Sequence, residues 1–294
     1  MSRKTPLTLL VEANGTLSQV RFLLETKGEC FDDYLEGDSR FRAACAKVLG
    51  ALSPERPRAL LDRDDLDRFL FADNDVVIVV GQDGLVANVA KYLRGQATIG
   101  FNSDPVRFDG VLCRNPPETA SLVFEWLQTG GEGFVVEPRS MVQAEREDGQ
   151  ALLALNEVFV GHCSHQSARY RIRFDGREER QSSSGLIVAS GTGCSGWARS
   201  IAEQRNIQRA LPTPQSSELV WFVREPFPSK VTGTSLNFGT VPLGGSLEIV
   251  SEMAEGGVLF ADGIEQDFVP FPSGAQAKIR VAPLALRLIV PSVS

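Results

Sequence analysis

Histidine is almost missing from this chain: only His162 and His165 occur in 294 residues. Their i, i+3 spacing falls in a polar loop between two strand patterns, so no metal site is expected there. Cysteine is sparse too. Cys30, Cys45, Cys113, Cys163 and Cys194 are odd in number and contain no C-x-x-C pair. That points to reduced thiols and away from a disulfide framework. Basic clusters are lacking, and the formal net charge is -7. Nonspecific binding to nucleic acid or to a membrane surface is therefore not expected, whereas a phosphorylated small molecule needs only a few local donors. No apolar run is long enough to span a membrane. The start, MSRKTPLTLLVE, is too short in apolar residues for a signal peptide, and no Arg- and Ser-rich transit segment precedes Leu7. The expected location is the cytoplasm. Internal repeats and low-complexity segments are also absent.

The composition is that of an ordinary soluble protein, 43% hydrophobic and 23% charged, and the length suffices for two domains. The most informative stretch is 73–102. Its VVIVV run, 76–80, reads as a strand buried on both faces. A sharp turn follows at Gly81-Gln82-Asp83-Gly84, then helical spacing over 85–93. A second strand covers 98–101, with Asn102 at its C-terminal end. In an open parallel sheet, ligands bind at the C-terminal ends of strands. Backbone N–H groups in a glycine turn at a helix start suit phosphate. Asp83 would stand beside that phosphate, where a carboxylate can hold Mg²⁺ or take a proton from a hydroxyl. The turn also fits a plain reading, in which Asp83 caps the helix and the glycines take positive φ.

Around this unit the pattern predicts a first strand at 7–11, a helix at 18–24 and an amphipathic helix at 41–52. The last places Phe41, Ala44, Cys45, Val48, Leu49 and Leu52 on one face and ends before Pro54 and Pro57. A short strand is expected at 59–61. Leu66, Phe69 and Leu70 form the stripe of an acidic helix ending near Asn74. Alternating strands and helices argue for an α/β N-terminal domain, 1–114, with a parallel sheet and helices on both faces. After a short helix at 121–127 the texture changes to short strands. They are expected at 134–137, 141–146, 151–160, 170–174, 186–189, 219–223, 246–250, 258–261, 277–281 and 286–290. Asp148-Gly149, Asp175-Gly176 and Asp262-Gly263 are hairpin signals. The C-terminal domain, 115–294, is thus expected to be mostly antiparallel β and sandwich-like. Its last strand is a candidate to return to the N-terminal domain.

Two polar constellations lie in this part. Asn156-Glu157 sits inside an apolar strand pattern. A buried carboxylate is costly unless something pairs with it. Glu157 is either an edge residue facing water or an acceptor for ribose hydroxyls, with Asn156 supplying amide contacts. The second is a strand at 186–189 running into Ser190-Gly191-Thr192-Gly193-Cys194-Ser195-Gly196 and a helix from Trp197. Small residues allow close approach of a ligand to the backbone, Thr192 and Ser195 offer hydroxyls, and Trp197 offers an aromatic face. A glycine-rich helix start with a core tryptophan is the plain alternative.

Taken jointly, these motifs resemble the NAD kinase family. Gly81-Gln82-Asp83-Gly84-Leu85 is similar to its G-G-D-G-T motif, and Asn156-Glu157 to its N-E motif. The segment from Gly185 to Trp197 resembles its glycine-rich loop. Details are nearer to the mitochondrial-type branch. Asn102-Ser103-Asp104-Pro105 stands where that branch has N-T-D-P, and Gly110-Val111-Leu112-Cys113 where it has G-x-L-C. Residues 155–161, LNEVFVG, match L-N-E-V-F-I-G, and Arg224-Glu225-Pro226 and Asp262-Gly263 match later markers. The resemblance implies an α/β domain followed by a β-sandwich-like domain, with the site in the crevice between them. It also implies transfer of the γ-phosphoryl group of ATP to the 2′-hydroxyl of the adenosine ribose of NAD, with Mg²⁺ and as a homodimer. Asp83 would lie near the dinucleotide phosphates or act on the attacking hydroxyl, with Gly81 and Gly84 in the same turn. Asn102, Asn156 and Glu157 would bind the ribose portions. Thr192, Gly193, Ser195, Trp197 and Ser200 would line the NAD pocket. Gln82, Leu85 and Cys194 depart from the family pattern; a positive φ at Gln82 would cost about 1 kcal/mol. An NAD(P)-binding protein without catalysis, or a kinase with another substrate, is the alternative.

Overall fold

A computed structural model describes residues 1–292. The chain divides into two units: Met1–Glu137 with the chain from Arg287 on, and Pro138–Leu286.

The first unit opens with three helices, α1 (Pro6–Asn14), α2 (Leu17–Thr26) and α3 (Phe31–Gly50). Residues 7–11 are therefore helical and not the expected first strand. A short apolar run fits either period, and its flanks decide. The Thr5 hydroxyl accepts the N–H of Thr8, and Pro6 occupies the first helical position. Thr5 also donates to Asp38 of α3 at 2.5 Å, and Arg42 reaches the other carboxylate oxygen at 2.6 Å. Helix α3 starts well before the expected residue 41, through a polar half that periodicity does not reveal. It buries Ala44 and Val48 and leaves Leu49 exposed. The expected strand at 59–61 is not formed; an isolated bridge joins Ser2 to Asp62 instead. The acidic stripe folds only as a 3-10 helix, Arg63–Arg68, burying Leu66 and exposing Leu70.

Next come β1 (Val76–Gly81), α4 (Asp83–Ala90), β2 (Ala97–Asn102) and α5 (Ala120–Thr129). Strands β1 and β2 are parallel, from Val76 opposite Ala97 to Gly81 opposite Asn102. Arg287–Ile289 lie parallel to Ala97–Ile99. Ile78, Val80, Ile99, Phe101 and Ile289 share a cluster with Ala44 and Val48 of α3 and Ala120, Val123 and Phe124 of α5. That packing keeps residues 115–137 in the first unit, past the boundary expected at 114. Val77 and Val79 alternate to the opposite face. Every residue of α4 from Leu85 to Ala90 is buried. At Gly100 a Cβ would lie 2.6 Å from the carbonyl oxygen of Leu112, so β2 needs glycine where the 110–115 loop crosses it.

The second unit is built from β3 (Phe134–Arg146), β4 (Ala151–Ala154), β5 (Glu157–His162), β6 (Ala168–Phe174), β7 (Arg177–Ser183) and β8 (Leu186–Ala189). After α6 (Trp197–Gln204) follow β9 (Glu218–Val223), β10 (Phe238–Pro242), β11 (Leu247–Ser251), β12 (Gly257–Ala261), β13 (Phe268–Pro270) and β14 (Gln276–Pro291). One sheet has the order β10-β9-β8-β5-β12-β13, antiparallel throughout. In the other, β7, β6, β11 and the first residues of β14 pair antiparallel. Val158, Val160, Leu186, Val188, Leu219 and Trp221 from the first sheet share one core with Tyr170, Ile172, Leu247, Ile249 and Ile279 from the second. The alternate residues Phe159, Ile187, Ala189, Val220 and Phe222 turn outward, where Ala198, Ile201 and Ala202 of α6 cover them. Covered on both sides, these strands become continuous apolar runs.

Strands β7, β10 and β13 escape the sequence reading because they are polar or broken by glycine and proline. Strand β7 nonetheless pairs with β6 along its whole length, through a turn with Asp175 and Gly176 at φ 51° and 69°. The expected strand 151–160 is two strands, interrupted at Leu155-Asn156. The segments 134–137 and 141–146 are one strand, as are 277–281 and 286–290.

Thr5→Ala removes both the α1 cap and the bond to Asp38. It should lower stability by about 1–2 kcal/mol in urea unfolding. An unchanged midpoint would mean that α1 docks without them.

Candidate functional site

In the first unit the predicted residues gather at the C-terminal ends of β1 and β2. Gln82 has extended backbone, φ −109° and ψ 165°, so the positive φ considered for it is not required. Neither Gly81 nor Gly84 takes positive φ. Leu85, in the threonine position of the motif, is buried, and a Cβ on Gly81 would meet its side chain at 3.2 Å. Leu85 is therefore absorbed as core packing, while Gln82 is exposed and free of backbone strain.

Asp83 opens α4, but its side chain does not cap that helix. One carboxylate oxygen accepts the N–H of Val111 at 2.8 Å, and the other accepts those of Leu112 and Cys113, both at 2.9 Å. Such charge-assisted bonds are strong and directional. Asp83 is thus turned into the protein and fixes the 111–113 loop. Burial and the Asp83 charge push the Cys113 thiol up, which keeps it protonated. Asn102 is also engaged in its own loop, accepting the N–H of Asp104 at 3.1 Å and donating to the Phe108 carbonyl at 2.8 Å. Asp104 is buried and paired with Arg40 of α3 at 3.1 Å. Between these loops lies an open recess of about 290 Å³, lined by Asn102, Pro105, Asp109, Gly110, Cys113, Arg114 and Pro116.

The second unit repeats the device. Asp262, at φ 52°, accepts the N–H groups of Leu155, Asn156 and Glu157 at 3.0, 2.7 and 3.3 Å. Ser190 holds the same segment from the other side: its hydroxyl donates to the Leu155 carbonyl at 2.5 Å, and its N–H to that of Asn156 at 2.8 Å. The same hydroxyl accepts the N–H groups of Thr192 and Gly193. A Cβ on Gly193 would lie 2.3 Å from the Asn156 carbonyl oxygen, so only glycine fits. The Asn156-Glu157 segment and the glycine-rich loop are one construction. Strand β5 lies between β8 and β12, which rules out the edge position considered for Glu157. Burial, and then the charge of Asp262, push the Glu157 carboxyl up to about 7.

Thr192 is buried at 2% exposure with its hydroxyl unpartnered, while Ser195 is exposed and donates to the Thr192 carbonyl at 2.9 Å. Trp197 is half-buried. Its ring stacks on Phe159 at 6.1 Å, and the Arg224 guanidinium lies 4.9 Å from its centroid. Its aromatic surface therefore already serves the protein. Ser200 lies exposed on α6, a turn beyond the loop. The sequence reading missed Ser190 and took Asp262 as a hairpin residue and family marker only. A serine at a buried strand end before Gly-Thr-Gly was the available signal. Among the described residues no group of three or more His, Cys, Asp or Glu side chains is placed to hold a metal ion, and no helix is long and apolar enough to cross a membrane.

No family model matches the chain. The mitochondrial NAD kinase 2 of Rattus norvegicus is 29% identical over 254 residues, covering 67% of this chain and 60% of that protein. An NAD kinase of Rickettsia bellii is 29% identical over 138 residues, covering 42% of this chain and 49% of that one. The chain spans between 48% and 60% of the length of the curated relatives it matches. Among solved structures, an NAD kinase from Archaeoglobus fulgidus in complex with ATP aligns with a TM-score of 0.55 at 21% identity, over 74% of this chain and 78% of that one. Yeast NADH kinase complexed with NADH aligns with a TM-score of 0.57 at 16% identity, over 82% and 68%. The fold is that of these structures, and the resemblance to NAD kinases, mitochondrial and bacterial, is supported.

Asp262→Ala leaves three neighbouring N–H groups without their acceptor and should cost at least about 2–3 kcal/mol in chemical denaturation. A loss below 1 kcal/mol, on the order of a single neutral bond, would contradict this role. At Gly84 a Cβ meets nothing within 4 Å. Gly84→Ala should therefore hold or raise stability, by up to about 1 kcal/mol. A drop in melting temperature would show that the fold itself requires this glycine.

Proposed function

We propose that this chain transfers the γ-phosphoryl group of ATP to the 2′-hydroxyl of the adenosine ribose of NAD, giving NADP. The observation that carries the reading is that its motif segments form built loops despite the altered residues. Gln82 and Leu85 sit without backbone strain, and the 111–113 and 155–157 segments are each pinned by an aspartate. Curated relatives that are NAD kinases support the same reaction.

In this reading the Asp83 turn and the 110–113 loop lie beside the dinucleotide phosphates, with Gly81 and Gly84 leaving their backbone open to them. Asn102 shapes that loop. Asn156 and Glu157 accept ribose hydroxyls, and Thr192, Gly193, Ser195 and Trp197 form the wall of the NAD pocket, with Ser200 at its rim. Phosphoryl transfer depends on position and charge stabilisation more than on covalent chemistry. The described residues offer no ready-made cation cage, so a divalent ion would arrive with the triphosphate. We take the protein to act as a homodimer in the cytoplasm. One observation favours a second reading, dinucleotide binding without turnover: both carboxylate oxygens of Asp83 are already engaged.

The deciding assay is NADP formation from NAD, ATP and Mg²⁺. Turnover is expected in the wild type. In Asp83→Asn, which loses the charge that holds the 111–113 loop, a fall of about 10-fold or more in kcat/KM is expected. Absence of product with ATP, other triphosphates, polyphosphate or NADH as substrate would refute the kinase, and calorimetric NAD binding without turnover would establish the second reading.

A further inference from the structure

Helix α6 has a face that none of the motifs uses. Arg199, Ala202 and Glu203 follow at i, i+3 and i+4 and so lie side by side on the helix. At its C-terminal end Asn206 takes positive φ, 53°. The N–H groups of Asn206 and Ile207 donate to the carbonyls of Glu203 and Ala202, at 3.1 and 3.0 Å. This pairing is a left-handed helix stop that turns the chain back on itself. The chain returns to the glycine-rich loop at Thr213, whose backbone leaves no room for a Cβ on Gly191. The Ser216 hydroxyl accepts the Thr213 N–H at 2.9 Å and fixes that end. Residues 207–212 therefore arch between two held points. Between this arch and the α6 face lies a hollow of about 490 Å³, larger than the recess at Asn102 and within the usual range of small-molecule sites. Asn156, Glu157, Thr192, Ser195 and Trp197 do not line it.

The lining has two characters. Ala202, Ile207 and Leu211 supply apolar surface, and Ile207 and Leu211 also pack on the outer cluster of Phe159, Ile187 and Phe222. Cys194 of the glycine-rich loop joins them. Burial, and then the charge of Glu218, push its thiol up to about 12, so it stays neutral. Glu218 itself does not line the hollow. On the polar side Arg199 and Glu203 neutralise each other at 2.7 Å. Arg209 pairs with no described residue, and the N–H groups of residues 208–211 find no acceptor among the described residues. The hollow thus offers one uncompensated guanidinium and unused donors beside an apolar wall. Its one carboxylate is already paired, so a cation would find no partner there.

We infer that this hollow is a second ligand site, for a small organic anion with a carboxylate or phosphate head and an apolar body. The head meets Arg209 and the donors of the arch, and the body lies on Ala202, Ile207 and Leu211. Cys194 belongs both to this lining and to the glycine-rich loop, so an occupant is linked to the loop and changes its affinity for NAD. Only that link rests on the function proposed above. Such coupling is reciprocal: NAD must change the affinity for the anion by the same factor.

The test is calorimetry on the intact chain with hexanoate, hexyl phosphate, hexanol and inorganic phosphate. Hexanoate or hexyl phosphate should bind saturably at one site, and the tighter of the two identifies the head. Hexanol and inorganic phosphate should bind about tenfold more weakly or worse, since each lacks one half of the ligand. Arg209→Glu alters an exposed side chain and should weaken the anion about tenfold or more while NADP formation without it stays unchanged. Ala202→Phe should fill the hollow and abolish binding; if its melting temperature falls, Arg209→Glu decides alone. No saturable binding of either anion, binding unaffected by Arg209→Glu, or full displacement by NAD would overturn the site. With hexanoate or hexyl phosphate saturating, the Kd of NAD should shift by about fivefold or more. An unshifted Kd would overturn the link through Cys194. A chain that binds no NAD at all would overturn the proposed function, while binding of the two anions would still decide the site.

Discussion

Two aspartates in two different units solve the same physical problem. Asp83 gathers the N–H groups of residues 111–113, and Asp262 those of residues 155–157. In each case one carboxylate accepts three consecutive backbone amides. Unpaired amides at such positions would cost about 1–3 kcal/mol each, and bonds to a charged acceptor are the stronger kind. These segments are thus held by charge and backbone geometry, with the side chains of Leu112, Cys113 and Leu155 buried beneath them.

The surrounding packing makes these loops rigid. In the second unit the strands that lead into them are covered on both sides, by the opposing sheet and by α6. Glycines stand where backbone meets backbone: Gly193 against Asn156, and Gly100 against Leu112. The stack of Phe260, Phe159 and Trp197 ties β12, β5 and the start of α6 together. Trp197 is therefore a structural support of the glycine-rich loop as well as a candidate wall of the pocket.

What was legible in the sequence followed from burial. The VVIVV strand, the 186–189 strand with its glycine-rich turn, and the hairpins at Asp148 and Asp175 carry strong local signals. The 7–11 segment was misread because an apolar run of that length suits a strand as well as a helix, and only Thr5 and Pro6 distinguish them. Strand β7 was invisible because its sequence is polar throughout, its buried positions being Gln181 and Ser183, and it is placed by register with β6. The family resemblance located Asp83, Asn156 and Glu157. It did not say what each side chain would touch, since Asp83 finds its partners about thirty residues away and Glu157 finds none. The amphipathic and turn patterns used for the reading report local spacing, and these contacts are not local.

The most direct test of the account is site-resolved amide hydrogen exchange on the intact chain. The N–H groups of Val111, Leu112 and Cys113, and of Leu155, Asn156 and Glu157 at the start of β5, should exchange as slowly as those of the adjoining strands, because each has a carboxylate acceptor. Exchange at the fast rate of open loops, in either set, would contradict the claim that an aspartate carboxylate holds it.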